Sequence, residues 1–121
     1  MHSTITGVHM EITDAIREYT SEKMKTLEKF VPKGDTSATL AIELSKTTQH
    51  HQNGDVFLAE AQLHIRGKNT ALRTTQDDLY KAIDILKDML IRELATHKDK
   101  ERSIVRRSAH KVKMLFKRLV D

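Results

Sequence analysis

Between Thr39 and Thr74 most of the large apolar residues keep a period of two, and on both sides of that stretch the period changes to three or four. Leu40, Ile42 and Leu44 alternate with Thr39, Ala41, Glu43 and Ser45. Phe57, Ala59, Ala61, Leu63 and Ile65 alternate with Glu60, Gln62, His64 and Arg66. A period of two is that of strands buried on one face, because successive strand side chains point to opposite sides. A period near 3.6 is that of a helix with one apolar stripe. Strands with one apolar face, flanked by helices with one apolar stripe, can bury both only by stacking into two layers.

The elements follow from this pattern. His2 to Gly7 reads as an opening strand. Thr13 can cap a helix, with Asp14 in its first turn, and Pro32-Lys33-Gly34 stops it. Ile12, Ile16, Tyr19, Met24, Leu27 and Val31 form its stripe, and Lys25, Lys29 and Lys33 fall four apart as an exposed lysine row. A polar loop from Thr47 to Asp55 ends in the turn pair Asn53-Gly54, and Gly67-Lys68-Asn69 turns the chain into Thr70 to Thr74. These connections are too short for crossover helices, so the strands form an antiparallel meander. A second helix opens at Thr75-Gln76-Asp77-Asp78, which resembles a capping box. Leu79, Ile83, Leu86, Leu90 and Leu94 are its stripe, widened by Ala82, Ile85 and Met89.

The expected fold is α+β: a β-α-β-β-β-α two-layer sandwich, with an antiparallel sheet carrying both helices on one face. Its other face is left to solvent or a partner. After His97 the chain turns charged, and Val105, Ala109, Val112, Phe116 and Leu119 then recur at helical spacing. With no Gly or Pro between, this basic tail is either a further helix or an extension of the previous one. The expected division is residues 1–100 as a domain and 101–121 as a basic amphipathic tail.

Charge is divided unevenly. Residues 97–121 hold nine Lys or Arg against three acids, whereas 1–96 hold twelve against fourteen. An acidic body with a basic end points to a polyanionic partner, nucleic acid ahead of an anionic membrane. Aromatic residues number five (three Phe, two Tyr) with no Trp, too few for a base-stacking sheet platform. The chain has no cysteine, which removes disulfides and thiolate chemistry. No apolar run approaches the roughly 20 residues that span a bilayer, and the first residues lack a signal-peptide layout. A cytoplasmic location is expected.

Catalytic and metal constellations are missing from the pattern. His50-His51 are adjacent in a polar loop without a carboxylate pair, and His2, His9, His64 and His110 are isolated. Ser45 and Ser103 have no nucleophile context, Asp77-Asp78 is explained by helix capping, and Gly34, Gly54 and Gly67 stand alone. No enzymatic activity, cofactor, metal or small-molecule substrate is expected.

Two blocks carry a family resemblance. Thr6-Gly7-Val8-His9-Met10-Glu11-Ile12-Thr13 leads into Ile16-Arg17-Glu18-Tyr19 and Glu22-Lys23-Met24-Lys25-Thr26-Leu27-Glu28-Lys29. Asp77-Asp78-Leu79-Tyr80-Lys81-Ala82-Ile83-Asp84 continues through Leu90, Arg92-Glu93-Leu94 and His97-Lys98. Together they resemble the ribosome hibernation-promoting factors, also called the ribosome-associated inhibitor or sigma-54 modulation family, over residues 1 to about 100. The resemblance implies a fold like double-stranded-RNA-binding domains. It also implies binding to the small ribosomal subunit between head and body, where messenger and transfer RNA sit, and inhibition of translation in starvation or stationary phase. By position it implies RNA-backbone contacts from Lys23, Lys25 and Lys29 on the first helix and from Lys81, Lys87, Arg92, His97, Lys98 and Lys100 at the second. Arg66, Lys68 and Arg73 of the last hairpin join them. The tail is too short for the domain with which long family members pair ribosomes. Beside this reading stand a general double-stranded-RNA-binding module and a scaffold that self-associates weakly through the tail.

Overall fold

A computed structural model of the chain describes residues 1–48 and 54–120. The order is strand β1 (His2–Val8), helix α1 (Asp14–Lys25), a short 3₁₀ turn (Glu28–Phe30), strands β2 (Thr39–Thr48), β3 (Asp55–Ile65) and β4 (Lys68–Gln76), and helix α2 (Leu79–Val120). The four strands form one sheet in the order β1-β2-β3-β4. β2, β3 and β4 are the expected antiparallel meander. β1 instead runs parallel to β2, with Ile5 opposite Ile42 and Gly7 opposite Leu44. The sheet is therefore mixed, not antiparallel as the pattern suggested. The reason is the connection: α1 carries the chain back along the sheet before β2 starts, and a helical crossover delivers a parallel neighbour.

Leu40, Ile42 and Leu44 lie across from Leu63, Ala61 and Ala59, and all six are buried. Both helices cover this face. Met24 and Leu27 from the first helical segment join Leu79, Ala82, Ile83, Leu86, Leu90 and Leu94 of α2 in one cluster with the strands. A fully buried Leu or Ile contributes about 1.5–3 kcal/mol relative to exposure, so this stripe anchors the layer. Ile85 and Met89 are part-buried and stand outside that cluster, because the stripe is narrower than expected. The opposite sheet face stays open. It carries Thr6, Glu43, Glu60 and Arg73 in one cross-strand row, which is polar and has two acids to one base.

Local chemistry sets the boundaries. Thr13 caps α1 by accepting a hydrogen bond from the Ile16 amide at 3.2 Å, as expected. α1 ends at Lys25, well before Pro32. The Thr26 amide and the Leu27 amide reach back only three residues, to Lys23 and Met24, and the Thr26 hydroxyl donates to the Lys23 carbonyl at 2.7 Å. That tighter turn buries Leu27 completely. It also breaks the lysine row: Lys25 is helical, Lys29 sits on the 3₁₀ turn and Lys33 follows it. Thr75 does not cap α2, since it pairs with Leu58 inside β4. Asp78 caps instead, its carboxylate accepting from the Lys81 amide at 3.1 Å. The β3–β4 turn is Arg66-Gly67, both at positive φ, and Lys68 already belongs to β4. Two positive φ values in a two-residue loop match the twist of a hairpin. The expected Asn53-Gly54 pair and His50-His51 fall on or beside residues outside the described set.

α2 is a single helix of 42 residues. At 1.5 Å per residue it is about 63 Å long, so the tail is an extension of the second helix. Beyond the body its apolar residues are uncovered: Val105 is 67% exposed, Phe116 68% and Leu119 85%.

Candidate functional site

α2 presents its cations on two sides. Lys87 and Lys98 are eleven residues apart, about three turns, and so lie in line. Lys81 and Arg92 have the same separation and lie about 120° further round the helix, exposed to solvent. Asp84 marks the side next to α1, because it accepts a hydrogen bond from Tyr19 of that helix at 2.7 Å. Lys23 reaches into the same seam. Its Nζ is 3.6 Å from Asp84 and 5.2 Å from the centre of the Tyr19 ring. Tyr80 meets the Tyr19 ring edge to face at 4.7 Å. The Tyr19 hydroxyl is pushed up to about 12, first by its bond to Asp84 and then by burial.

Lys25 is not part of that seam. It faces the β1 side of α1, lining a shallow groove with Arg17, Ser21 and Glu28. Several expected contact residues are drawn onto neighbouring acids: Lys81 onto Asp77 at 3.7 Å and Lys87 onto Asp88 at 3.3 Å. His97 Nε2 lies 3.2 Å from Glu93 Oε1, off the line of a hydrogen bond, and is shielded from solvent. Arg92, Lys100, Lys68 and Arg73 are exposed. Arg73 lies on the open sheet face, away from the helices.

Six cations come together where three elements meet. The 3₁₀ turn, the tip of the β3–β4 hairpin and the stretch of α2 that leaves the body enclose a cleft of about 660 Å³. Lys29, Lys33, Arg66, Lys98, Arg102 and Arg106 line it, and its apolar surface comes from Phe30, Val31, Pro32 and Val105. Each element has a reason to be there. Phe30 and Val31 pack on the core and hold the 3₁₀ turn in place. Asp35 clamps the hairpin, accepting from the Arg66 amide at 3.1 Å and from the Ser37 hydroxyl at 2.7 Å. Those bonds, the Ser37 hydroxyl first, hold its carboxyl below the usual range. Lys98, Arg102 and Arg106 are four apart on α2, one turn each, so they rise along one wall. Lys29 Nζ lies 5.2 Å from the centre of the Phe30 ring.

Of the expected site residues, Lys29, Arg66 and Lys98 converge on this cleft. Lys23 and Lys87 line the seam on the α1 side, and Lys25, Lys68, Arg73, Lys81 and Arg92 lie elsewhere. Lys33, Arg102 and Arg106 were not among the expected contacts. Their signal was present in the four-residue spacing of Lys98, Arg102 and Arg106, but it counts only if α2 runs on without a break. Among the described residues no cluster of His, Asp or Glu can hold a metal ion. None of the described helices is long and apolar enough to cross a membrane.

An α+β body of mixed sheet and two covering helices is a form with known relatives. Residues 3–102 match the family described as sigma 54 modulation protein / S30EA ribosomal protein, and the chain belongs to it. It is similar to the ribosome hibernation promoting factor of Azotobacter vinelandii, at 34% identity over 84% of this chain and 86% of that one. The Escherichia coli K12 protein of the same description is 33% identical over 83% of this chain and 96% of its own length. Among solved structures, the N-terminal domain of Thermus thermophilus Protein Y superposes with a TM-score of 0.65 at 28% identity, covering 78% of this chain and 96% of that domain.

Proposed function

We propose that this protein is a ribosome hibernation factor that binds the small ribosomal subunit in the channel for messenger and transfer RNA and silences translation under stress. Membership of the family supports the ribosome as partner, as do the relatives described as ribosome hibernation promoting factors. The observation that carries the reading is the cleft with six lining cations drawn from three separate elements. Cations held on a rigid body displace counterions condensed on an RNA backbone, which gives affinity with little base preference and a steep salt dependence. A protein that stops translation by filling a channel needs fit and charge, not bond-making. Lys29, Arg66 and Lys98 with Arg102 and Arg106 are the main anchors in this reading. Lys23, Lys87 and Lys25 are secondary ones.

Residues 1–100 form the binding body and 101–121 an added arm in this reading. The arm has seven Lys or Arg against two acids, Glu101 and Asp121 at its ends. Like charges oppose its pairing with a second copy and favour contact with RNA. The test is sedimentation with purified subunits together with cell-free translation. The protein is expected to travel with the small subunit and to reduce protein synthesis in proportion to its occupancy. A preference for bare duplex RNA over the small subunit, or full occupancy with undiminished synthesis, would contradict the proposal.

A further inference from the structure

The cleft has two surfaces of opposite character, and phosphate binding alone accounts for only one of them. Six of its ten lining residues are cationic. The other four are Phe30, Val31, Pro32 and Val105, and most of its exposed surface is apolar. A plain phosphate track needs no apolar floor, because a duplex backbone presents phosphates and sugars while its bases stay stacked inside. A cavity of about 660 Å³ is also within the range of roughly 300–1,000 Å³ that holds a small organic ligand. A single nucleotide has both matching parts, a flat apolar base and a charged phosphate.

We propose that the cleft takes one unpaired nucleotide of an RNA strand. Its base rests on the Phe30–Pro32 segment and Val105, and its phosphates lie along Lys29, Lys98 and Arg102. The proposal rests on the reading of the protein as an RNA-binding factor and narrows it, since a base inside a duplex cannot enter. The walls favour this arrangement. Lys98 and Arg102 are one helical turn apart, about 6 Å along α2, close to the spacing of successive phosphates in an extended strand. Val105 is 67% exposed and outside the core cluster, so the outer part of the floor is available rather than committed to packing.

The test uses the full chain and fluorescence anisotropy with three labelled RNAs of equal charge per strand. These are a single-stranded octamer of uridines, a fully abasic octamer and a blunt duplex. The intact octamer is expected to bind about tenfold tighter than the abasic one, the loss typical of removing a base contact. Val105→Gln should weaken the intact octamer selectively, whereas Arg102→Ala should weaken both octamers alike. Equal affinity for intact and abasic strands, or tighter binding to the duplex, would overturn the proposal. So would displacement of the octamer by micromolar uridine monophosphate, which would assign the site to a free nucleotide. Sedimentation with small subunits in the same buffer separates the two ideas. If subunit binding persists while base dependence is missing, the nucleotide pocket fails and the ribosome reading stands.

Discussion

Tyr19 and Asp84 join the two helices through a hydrogen bond of 2.7 Å, the phenol donating to a carboxylate 65 residues further along the chain. The proton is held more tightly in the folded protein than in the unfolded chain, since the hydroxyl titrates at about 12 instead of 10.0. Stability from this bond is therefore fully present below pH 10 and is lost as pH rises toward 12. Tyr19→Phe should cost about 1–2 kcal/mol at neutral pH, toward the low end for a hydrogen bond to a charged group because the pair is part-exposed. Urea unfolding at pH 7 and near pH 12 checks this: the gap between wild type and variant should narrow at the higher pH.

Gly7 is required by crowding. It lies on the buried side of β1, and a Cβ placed there would sit 2.4 Å from the Met10 carbonyl oxygen and 3.0 Å from the Ile12 side chain. The backbone carbonyl cannot rotate away as a side chain can. Gly7→Ala should destabilise by about 1–3 kcal/mol through overpacking, measured by thermal or urea unfolding. An unchanged midpoint would mean that the β1–α1 connection relaxes freely.

Charge reversal at the cleft should act differently from reversal on the outer flank of α2. Lys98→Glu with Arg102→Glu should weaken small-subunit binding strongly and make the salt slope shallower by about 0.7–0.9 for each phosphate that is no longer neutralised. Lys81→Glu with Arg92→Glu should have the smaller effect, because Lys81 lies 3.7 Å from Asp77 and neither residue lines the cleft. Circular dichroism should show the same fold in both variants, since all four residues are outside the buried core.

Removing residues 101–121 should leave the body folded, because among the described residues each buried hydrophobic one precedes the cut. The melting temperature should change little. Helical signal should fall, and affinity for the small subunit should drop as Arg102, Arg106 and the rest of the arm are removed. A collapse of the thermal transition would show that the extension stabilises the body.

The strands and the α2 stripe were legible because burial imposes its period on residue choice. Leu40, Ile42, Leu44 and Leu86, Leu90, Leu94 all lie in the core their spacing implied. The direction of β1 was not, since His2 to Val8 carries no mark of its partner; only the path of α1 makes it parallel. The end of α1 was misplaced because Pro32 is an obvious stop, whereas the earlier one depends on the Thr26 hydroxyl bonding back to Lys23 and on Leu27 turning inward. The cleft was only partly legible. Lys29, Arg66 and Lys98 were among the expected contacts, but a sequence does not reveal that a hairpin tip, a 3₁₀ turn and a helix extension meet. Arg102 and Arg106 join the site through the continuity of α2, which no local signal guaranteed.

Competition measures most directly whether the protein fills the RNA channel of the small subunit by means of its cationic cleft, as proposed. Labelled full-length protein is bound to purified small subunits, and messenger RNA with transfer RNA is added in increasing amount. The expected result is progressive release of the protein, at lower RNA concentrations for the Lys98→Glu, Arg102→Glu variant than for wild type. Wild-type protein that stays bound to subunits saturated with both RNAs would contradict the claim.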